Sequence, residues 1–593
     1  LLKVLKKLLQ FCGIETESSS LTRTPQRLRS TATLHLAIAL HPEASLYPDA
    51  ALHLATALHP EASLYPDAAL HLTAALYRAK MSLIKGVNYF TANDENFKKM
   101  SITDFYNNQE IFITGGSGFI GKALIEKLLR SFPNFNKMFI LLRPKNGKSV
   151  DERLQELLDN IIFQRARDEQ PESFKKIHAI AGDCKELGLG ISSDDLRRIK
   201  NVTIIFHSAA NVRFDNPFKE SVFVNLRGTH EIIKIAETMP KLIAFVQVST
   251  LYANVDQIHI KEQMRSSDCD WRTTIKLAET LDGKTLDILF KKYSSDHPNT
   301  YTLAKSLGEQ IVNDYRNKLP VIIYRVAQMV NSVEEPLPGW IDNMNGPAAL
   351  FLSGFIGVGQ SFYIGPYAKL NMIPCDVTVH GLIISAYALV TKPNFLNNSN
   401  ESVDVLNNCL SSENLMSQEE ITHRCHEVAK ENPSEKAIWF TGGTHTTCWI
   451  RFFIHFMLTQ FLLANLLDCI LRLRKEKPFF VKLQRRIYSA NMIVQKFINT
   501  NWITDNDKYE SLSTLITEED KNKLNLQLDY KFSKRHARVF LEGYKKFILK
   551  EPVKASKQAI LRFKIFYFLH YFLMSVMVLC LLWFIKKLIP LSV

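Results

Sequence analysis

The sequence offers little from which a metal centre or a disulfide framework could be built. Its nine cysteines are scattered through 593 residues without a Cys-x-x-Cys pair, and its histidines do not cluster at the spacing of zinc ligands. We therefore expect free thiols in a reducing compartment and no bound metal. The net charge of +14 favours an anionic partner, and the apolar C-terminal segments described below favour a membrane surface over nucleic acid.

Recognised targeting signals are also lacking at both ends. The basic, leucine-rich opening from Leu1 to Phe11 has neither the uninterrupted apolar core nor the small-residue cleavage site of a secretory signal. The last residues, Pro590 to Val593, do not form a Ser-Lys-Leu peroxisomal address. We therefore expect attachment to a membrane to depend on apolar segments within the chain.

A repeat occupies part of the N-terminal region. Residues 34–51 return almost unchanged as residues 52–69, and each copy is interrupted by two prolines. Such a repeat indicates tandem duplication and short helical turns rather than one long helix, with a small binding array as the alternative. We expect residues 1–80 to be a low-complexity segment that is disordered or untranslated, with Met81 as the true start.

The most informative segment is an apolar strand that runs into a glycine-rich turn and then into a helix, Lys122 to Arg130. Three glycines spaced by three residues let the chain turn tightly, approach a pyrophosphate closely and pack the helix against the strand. The helix N-terminus then faces the negative charge. An ordinary loop between a strand and a helix is the alternative. The residues predicted to surround a dinucleotide are Thr114, Gly115, Gly118, Phe119, Ile120 and Gly121.

Apolar strands alternate with helical stretches from about Ser101 to Asn331, a pattern typical of βαβ units on a parallel sheet. We therefore predict an α/β fold with a doubly wound parallel sheet, the Rossmann architecture, in a dinucleotide-binding reductase domain over residues 101–390. The predicted strands are Ile111 to Thr114, Met138 to Leu142, Ile177 to Ala181, Val202 to His207, Ala244 to Ser249 and Val321 to Val326.

The end of the second predicted strand indicates which dinucleotide is bound. NAD enzymes place a carboxylate there for the ribose 2′-hydroxyl, whereas this chain has Arg143 and Lys145, two cations that suit a 2′-phosphate. We therefore expect NADPH, with a solvated loop as the alternative. Asp183, after the third strand, is placed to reach the adenine amine. After the fourth strand, the small Ala209 lets the backbone pass close to the cofactor.

A tyrosine and a lysine four residues apart, Tyr301 and Lys305, lie on one face of a predicted helix. A tyrosine hydroxyl can give a proton to a carbonyl oxygen as hydride reaches the carbon, but its ordinary pKa is about 10. A nearby cation makes it a competent acid near neutral pH, and Lys305 can also bind the nicotinamide ribose. Thr250 is preferred over Ser249 as the group that polarises the carbonyl.

The chain becomes helical beyond Asp376. We predict helices at Val377 to Leu389 and Gln418 to Glu431, and for Trp449 to Leu471 a surface-lying or hairpin segment in preference to a membrane span, because it carries five polar or charged groups. The predicted segments are a substrate-side extension and loop at 391–443, a membrane-associated helical domain at 444–550 and a transmembrane helix at 565–585.

Several of these motifs, read in order, resemble one family. IFITGGSGFIGKALIEKLLR, LLRPKNGKSVDERL, FHSAANVRFD, FVQVSTLYAN, PNTYTLAKSLGEQ and PGWIDNMNGP are similar to segments of the insect-type, alcohol-forming fatty acyl-CoA reductases of the extended short-chain dehydrogenase/reductase superfamily. The resemblance covers about half of the chain. In one departure, Arg325 is followed by Val326 and Ala327, where the family commonly has proline and serine.

The resemblance implies two hydride transfers from NADPH, which convert a long-chain acyl-CoA into an aldehyde and then into a primary alcohol. It implies that Tyr301 is the proton donor, Lys305 its partner and Thr250 or Ser249 the polarising group, with Asn225 supporting the loop beside the cofactor. It also implies a peroxisomal or endoplasmic reticulum membrane, with the catalytic domain facing the cytosol. A membrane-bound reductase of a sterol or other lipid carbonyl, and a lipid-binding protein with a degenerate reductase fold, are the alternatives.

Overall fold

The computed structural model of the chain describes residues 100–588 except for residues 146, 295–296, 346, 393–401 and 527–529. The expectations for residues 1–80 and for Met81 lie outside the described residues. Within the described part, seven parallel strands form one sheet in the order β7-β6-β5-β4-β1-β2-β3. The strands are β1 Glu110–Thr114, β2 Lys137–Leu142, β3 Ile177–Ala181, β4 Ile204–His207, β5 Ala244–Thr250, β6 Val321–Val326 and β7 Asp404–Asn408.

This strand order is that of a doubly wound sheet, extended by one strand beyond β6. The strands are buried on both faces, as the apolar runs predict for a sheet covered by helices. In β1, Ile111 and Ile113 belong to the core on one face, whereas Phe112 belongs to the core on the other, because successive side chains of a strand point to opposite sides. The predicted fold class is confirmed, and the six predicted strands are present.

The seventh strand was not predicted. Residues 404–408 lie in the stretch assigned to a substrate-side extension, yet they pair in parallel with β6. Three of the five side chains are polar, which hides the strand from hydropathy. Two of these are buried with partners: the Asn407 side chain donates to the carbonyl of Asp505 at 2.8 Å, and Asn408 accepts from Thr378 at 3.0 Å. The sheet therefore extends past residue 390, where its domain was expected to end.

Helices cover both faces of the sheet. The helix after the glycine-rich turn, α2, packs beside α12 on one face, and α7 and α10 pack on the other. The helices are α1 Ile102–Tyr106, α2 Phe119–Ser131, α3 Val150–Leu158, α4 Gln164–Glu169, α5 Ser193–Arg198, α6 Phe218–Ser221, α7 Gly228–Glu237, α8 Trp271–Thr280, α9 Gly283–Tyr293, α10 Thr300–Asp314, α11 Pro347–Phe355, α12 Cys375–Thr391, α13 Gln418–Glu431, α14 Trp449–Phe456, α15 Leu462–Leu473, α16 Phe480–Asn499, α17 Asp507–Ser511, α18 Lys534–Gly543 and α19 Lys557–Leu588.

Short strand pairs and tight helical turns complete the described part. The π turn Val222–Arg227 joins α6 to α7, the π turn Met457–Phe461 joins α14 to α15, and the π turn Tyr544–Leu549 follows α18. The short strands are His259–Ile260 with Ile503–Thr504, Gln328–Val330 with Met372–Pro374, Ser361–Phe362 with Thr444–His445, and Lys369–Leu370 with Met416–Ser417.

Two helical stretches in the described part are long and apolar enough to cross a membrane. They are Trp449–Leu473, which joins α14, the π turn and α15, and Lys557–Cys580, which lies within α19. The second contains most of the predicted transmembrane segment. The first includes the segment that we expected to lie on a surface or form a hairpin.

Candidate active site

The glycine-rich turn lies where β1 ends and α2 begins. Gly115 has a φ of +75°, and a Cβ built there would lie 2.6 Å from the backbone nitrogen of Ala209. A Cβ at Gly121 would lie 2.3 Å from the carbonyl oxygen of Gly115. Helix α2 begins at Phe119, three residues earlier than predicted, and its N-cap, Gly118, makes no side-chain capping bond. The turn therefore presents backbone N–H groups to an anion, as a pyrophosphate requires.

The ends of β1 and β4 are held together by Thr114. Its hydroxyl hydrogen-bonds to Nδ1 of His207 at 2.6 Å and accepts from the backbone N–H of Ala209 at 3.3 Å. Burial, together with the charge of Lys305, lowers the pKa of His207 to about 3, so that this histidine is neutral. Thr114 therefore fixes the position of Ala209, and His207 is a positioning residue that the sequence reasoning did not single out.

Asn225 anchors the loop after β4. Its side chain accepts from the backbone N–H of Asn211 at 2.7 Å and donates to the carbonyl of the same residue at 2.9 Å. Asn225 is 1% exposed and lies in the π turn between α6 and α7. This paired contact holds the loop that follows Ala209, at the edge of the sheet where the resemblance placed the cofactor.

Basic side chains gather where β2 and β3 end. Arg143 lies 3.5 Å from the carboxylate of Asp183, and both side chains are substantially exposed. Lys145 is exposed beside them. Arg153, on α3, donates to the carbonyl of Arg143 and adds a third cation that sequence reasoning missed. The sequence does contain a signal that could have revealed Arg153. Ser149 and Glu152 form a capping box, which starts the helix that carries Arg153 directly after this loop.

One face of helix α10 packs against the end of β5. The side chain of Thr250 lies close enough to the Tyr301 hydroxyl to affect its pKa, and Nζ of Lys305 donates to the carbonyl of Val248 at 2.8 Å. Both helix residues are buried. The four-residue spacing therefore brings the predicted tyrosine, lysine and threonine together at one strand end.

Burial determines the protonation states of Tyr301 and Lys305. Burial raises the pKa of Tyr301, which the neighbouring Thr250 side chain lowers in part, and Tyr301 is therefore protonated and neutral at physiological pH. Burial also lowers the pKa of Lys305 to about 8, against the opposing effect of Glu309. Lys305 therefore carries its charge below about pH 8.

Ser249 has a different environment. Its hydroxyl donates to Glu309 at 2.6 Å, and the same carboxylate accepts from the buried guanidinium of Arg325 at 2.9 and 2.7 Å. Of the two candidates named from the sequence, Thr250 is the one that meets Tyr301, and Ser249 belongs to a buried ionic network. The residue after Arg325, Val326, accepts from the Thr250 hydroxyl at 3.4 Å.

Aromatic side chains cover Tyr301. Phe214 stacks on the Tyr301 ring with centroids 5.6 Å apart, and Phe497 lies 5.1 Å from Phe214. Phe497 also contacts Tyr252, which in turn lies near Trp502. The helical C-terminal part therefore supplies one wall of the site through α16. Sequence reasoning missed this wall because its members lie nearly 300 residues apart in the chain.

The doubly wound sheet, the glycine-rich turn and the tyrosine–lysine pair define a nicotinamide-dependent reductase of the short-chain dehydrogenase type. Two family models described as "Male sterility protein" match the chain, an NAD-binding model at residues 113–382 and a second model at residues 459–551. The chain is 32% identical to the fatty acyl-CoA reductase wat of Drosophila melanogaster, covering 80% of this chain and 90% of that one. It is 31% identical to fatty acyl-CoA reductase 1 of Mus musculus, covering 78% and 88%. The chain belongs to the fatty acyl-CoA reductase family.

Solved structures support the fold. The reductase domain of a nonribosomal peptide synthetase from Mycobacterium tuberculosis has a TM-score of 0.52 at 16% identity, covering 74% of this chain and 92% of that one. The terminal reductase domain of the myxalamid biosynthetic pathway has a TM-score of 0.50, also at 16% identity, covering 75% and 92%. At this identity the likeness concerns the architecture alone.

Gly121→Ala tests the nicotinamide dinucleotide site. We expect at least a tenfold loss of affinity, about 1.4 kcal/mol, because the added methyl group meets the Gly115 carbonyl and moves the turn away from the pyrophosphate. Titration of the reduced dinucleotide by its fluorescence measures the affinity. Gly283→Ala is the matched control, since no atom lies within 4 Å of a Cβ built there; equal affinities for the two variants would contradict the assignment.

Proposed function

We propose that the chain reduces a long-chain fatty acyl-CoA to a primary fatty alcohol with two molecules of NADPH and releases CoA. The observation that carries the proposal is the Thr250–Tyr301–Lys305 arrangement beside the glycine-rich turn. NADPH, when bound, supplies the two hydrides. When substrate binds, the Thr250 hydroxyl turns from the Val326 carbonyl and donates to the thioester carbonyl, so that negative charge developing on its oxygen is stabilised.

Two rounds of reduction follow from the same groups. In the first, the hydride adds to the thioester carbon and the carbon–sulfur bond then breaks, so that CoA leaves and an aldehyde remains. In the second, the hydride adds to the aldehyde carbon and Tyr301 gives its proton to the oxygen. Lys305, charged below about pH 8, stabilises the resulting tyrosinate. Each acyl-CoA consumes two NADPH and two protons.

Tyr301→Phe tests the catalytic assignment. We expect alcohol formation from palmitoyl-CoA to fall by about 10² to 10⁴, the usual contribution of a positioned acid, while NADPH binding is unchanged. Gas chromatography of the product, together with NADPH oxidation and thiol release, measures the reaction, and the wild type should oxidise two NADPH for each CoA released.

Other outcomes would distinguish the alternative functions. Turnover of a sterol ketone without thiol release would support a sterol or other lipid-carbonyl reductase. Binding of NADPH without turnover of either substrate would support a lipid-binding protein with a degenerate site. Wild-type rates in the Tyr301→Phe variant would contradict the role given to the hydroxyl group.

The preference for NADPH rests on the cations that follow β2. Arg143 and Lys145 follow the strand at whose end dinucleotide-binding folds commonly recognise the 2′ position of the adenosine ribose, and two cations there suit a 2′-phosphate. The pairing of Arg143 with Asp183 holds the guanidinium at this edge of the sheet. We therefore assign the 2′-phosphate to Arg143 and Lys145, with Arg153 close behind them.

Arg143→Ala is expected to raise the KM for NADPH about tenfold, because an exposed charged hydrogen bond to phosphate is lost. The KM for NADH should not change. Steady-state kinetics with both dinucleotides measures the difference. Lys137→Ala, at the exposed opposite end of β2, is the control; an equal effect of Arg143→Ala on both dinucleotides would contradict the assignment.

We further propose that the two apolar helical stretches attach the enzyme to a peroxisomal or endoplasmic reticulum membrane, with its catalytic part in the cytosol. The tail helix α19 exposes large apolar side chains such as Phe568, Leu579 and Trp583, which favours insertion across the bilayer. Microscopy of an N-terminally tagged chain tests the organelle.

The stretch Trp449–Leu473 has two unlike faces, which favours a position along the membrane surface. Residues at four-residue spacing are buried against the protein: Phe452, Phe456, Gln460, Ala464 and Asp468. Between them lies an exposed apolar strip that includes Ile450, Leu458 and Leu466. Positions four residues apart drift slowly around an α-helix, because a turn contains 3.6 residues. The π turn adds one residue, which keeps the buried positions on one side.

The polar groups of this stretch are used within the protein. His455 hydrogen-bonds to Ser361, and the carboxylate of Asp468 accepts from the backbone N–H groups of Phe479, Phe480 and Val481 at 2.9 to 3.0 Å. Asp468 therefore caps α16 and closes a helical hairpin. A helix fixed to the protein along one side lies in the interface with its outer side in lipid, and the basic residues near its end lie against lipid phosphates.

Spin labels at Ile450, Leu458 and Leu466 distinguish the two orientations in vesicles, after replacement of the exposed native cysteines. We expect similar immersion depths at the three positions, measured by electron paramagnetic resonance with oxygen and a nickel chelate as relaxants. A crossing helix would instead give a deep middle label between two shallow ones. A label at the exposed Lys175 should report water.

A further inference from the structure

An apolar cavity lies between the sheet-side strands and the C-terminal helices. Its walls are mainly aliphatic and aromatic, and they come from α11, α13, α16 and α18. Representative lining residues are Leu350, Phe355, Ile364, Leu370, Ile498 and Leu541.

A second, much smaller cavity adjoins the catalytic strand end. It is lined by Leu251 and Tyr252, which directly follow Thr250, and most of its other lining residues are also apolar. Gln328 and Leu370 line both cavities. The larger apolar cavity therefore reaches toward the residues that follow Thr250.

Gln328 has an unsatisfied amide at this boundary. Its side chain is 8% exposed, and its Nε2 has no hydrogen-bond partner among the described residues. A buried donor without a partner is destabilising, so this amide is suited to a ligand that accepts a hydrogen bond. Gln328 follows Val326 by two residues, or about 7 Å of extended chain, and the Val326 carbonyl accepts from Thr250. The free donor therefore lies close to the catalytic threonine.

We propose that the apolar cavity holds the acyl chain of the acyl-CoA. The thioester end of the chain lies at Gln328, which donates from Nε2 to an oxygen there. This inference rests on the proposed function and assigns a site to the acyl chain of its substrate. The thioester then lies near Thr250.

Helix α13 gives the apolar cavity a direction. The strand pair formed by Lys369–Leu370 and Met416–Ser417 leads directly into α13, so Gln418 lies at the end near Leu370. Cys425 and His426 also line the cavity, and they lie about 11–12 Å further along the helix. The end of the acyl chain therefore points toward Cys425, and the space there limits the chain length.

This distal end lies under the tail helix. His426 is 6.4 Å from the ring of Phe563, and Phe440, which contacts His426, stacks on His570 at 4.5 Å. The methyl end of the acyl chain is therefore placed beneath the first turns of α19. A long-chain substrate would extend from the catalytic strand end toward the membrane anchor.

Cys425→Phe tests the direction and the length limit. We expect kcat/KM for palmitoyl-CoA to fall at least tenfold, because the ring fills the distal end, while kcat/KM for octanoyl-CoA stays within twofold of the wild type. His423→Phe, at an exposed position of the same helix outside the cavity lining, is the matched control and should leave both values unchanged. Gln328→Leu should raise the KM for both acyl-CoA substrates without changing the KM for NADPH.

Loss of both substrates in a Cys425→Phe variant that melts like the wild type, or no change in either, would overturn the assignment. If the Cys425→Phe variant does not fold, a direct measurement on the wild type still tests the site. Wild-type enzyme irradiated with a hexadecanoyl-CoA that carries a diazirine at its terminal carbon should be labelled between Gln418 and Glu431, and labelling elsewhere would contradict the site. A wild type that reduces no acyl-CoA would refute the proposed function, whereas the label still reports the cavity.

Discussion

The attachment of one face of α10 to the end of β5 is the contact on which the site depends. Tyr301, Lys305 and Glu309 follow each other at four-residue spacing and meet Thr250, the Val248 carbonyl and Ser249. Tyr301, the proposed proton donor, is the first of the three along the helix, and Glu309, the last, forms a buried ion pair with Arg325. Removal of one partner from such a pair typically costs about 3–5 kcal/mol, so the network fixes the helix at the depth that the reaction needs.

The sequence predicted those features whose physical cause is local. The glycine-rich turn was visible because a tight approach of backbone to backbone excludes a side chain at Gly115 and Gly121. The first six strands were visible as apolar runs. The pairing of Tyr301 with Lys305 was visible because helical spacing places them on one face. These features required no knowledge of contacts distant in the chain.

Other features depend on contacts between remote residues. Our preference for Thr250 over Ser249 depends on Glu309, which accepts the hydrogen bond of the serine hydroxyl. Strand β7 is stabilised by side chains such as Asn407 that hydrogen-bond to segments about 100 residues away, and a hydropathy pattern does not contain that information. The aromatic cover of Tyr301 joins Phe214 to Phe497. Hydropathy alone also could not distinguish a membrane span from a helix with one side buried along the protein, as for Trp449–Leu473.

The hydrogen bond from Lys305 to the Val248 carbonyl uses only one of the N–H donors of the lysine. An ammonium group has three N–H donors, and one of them is already held by a main-chain acceptor. The remaining two keep fixed directions, because the nitrogen cannot rotate freely without breaking that first bond. In the proposed function, Lys305 therefore has little conformational entropy to lose when it binds the ribose hydroxyls, which is the advantage of preorganisation. A planar guanidinium in the same place would not reproduce these tetrahedral directions.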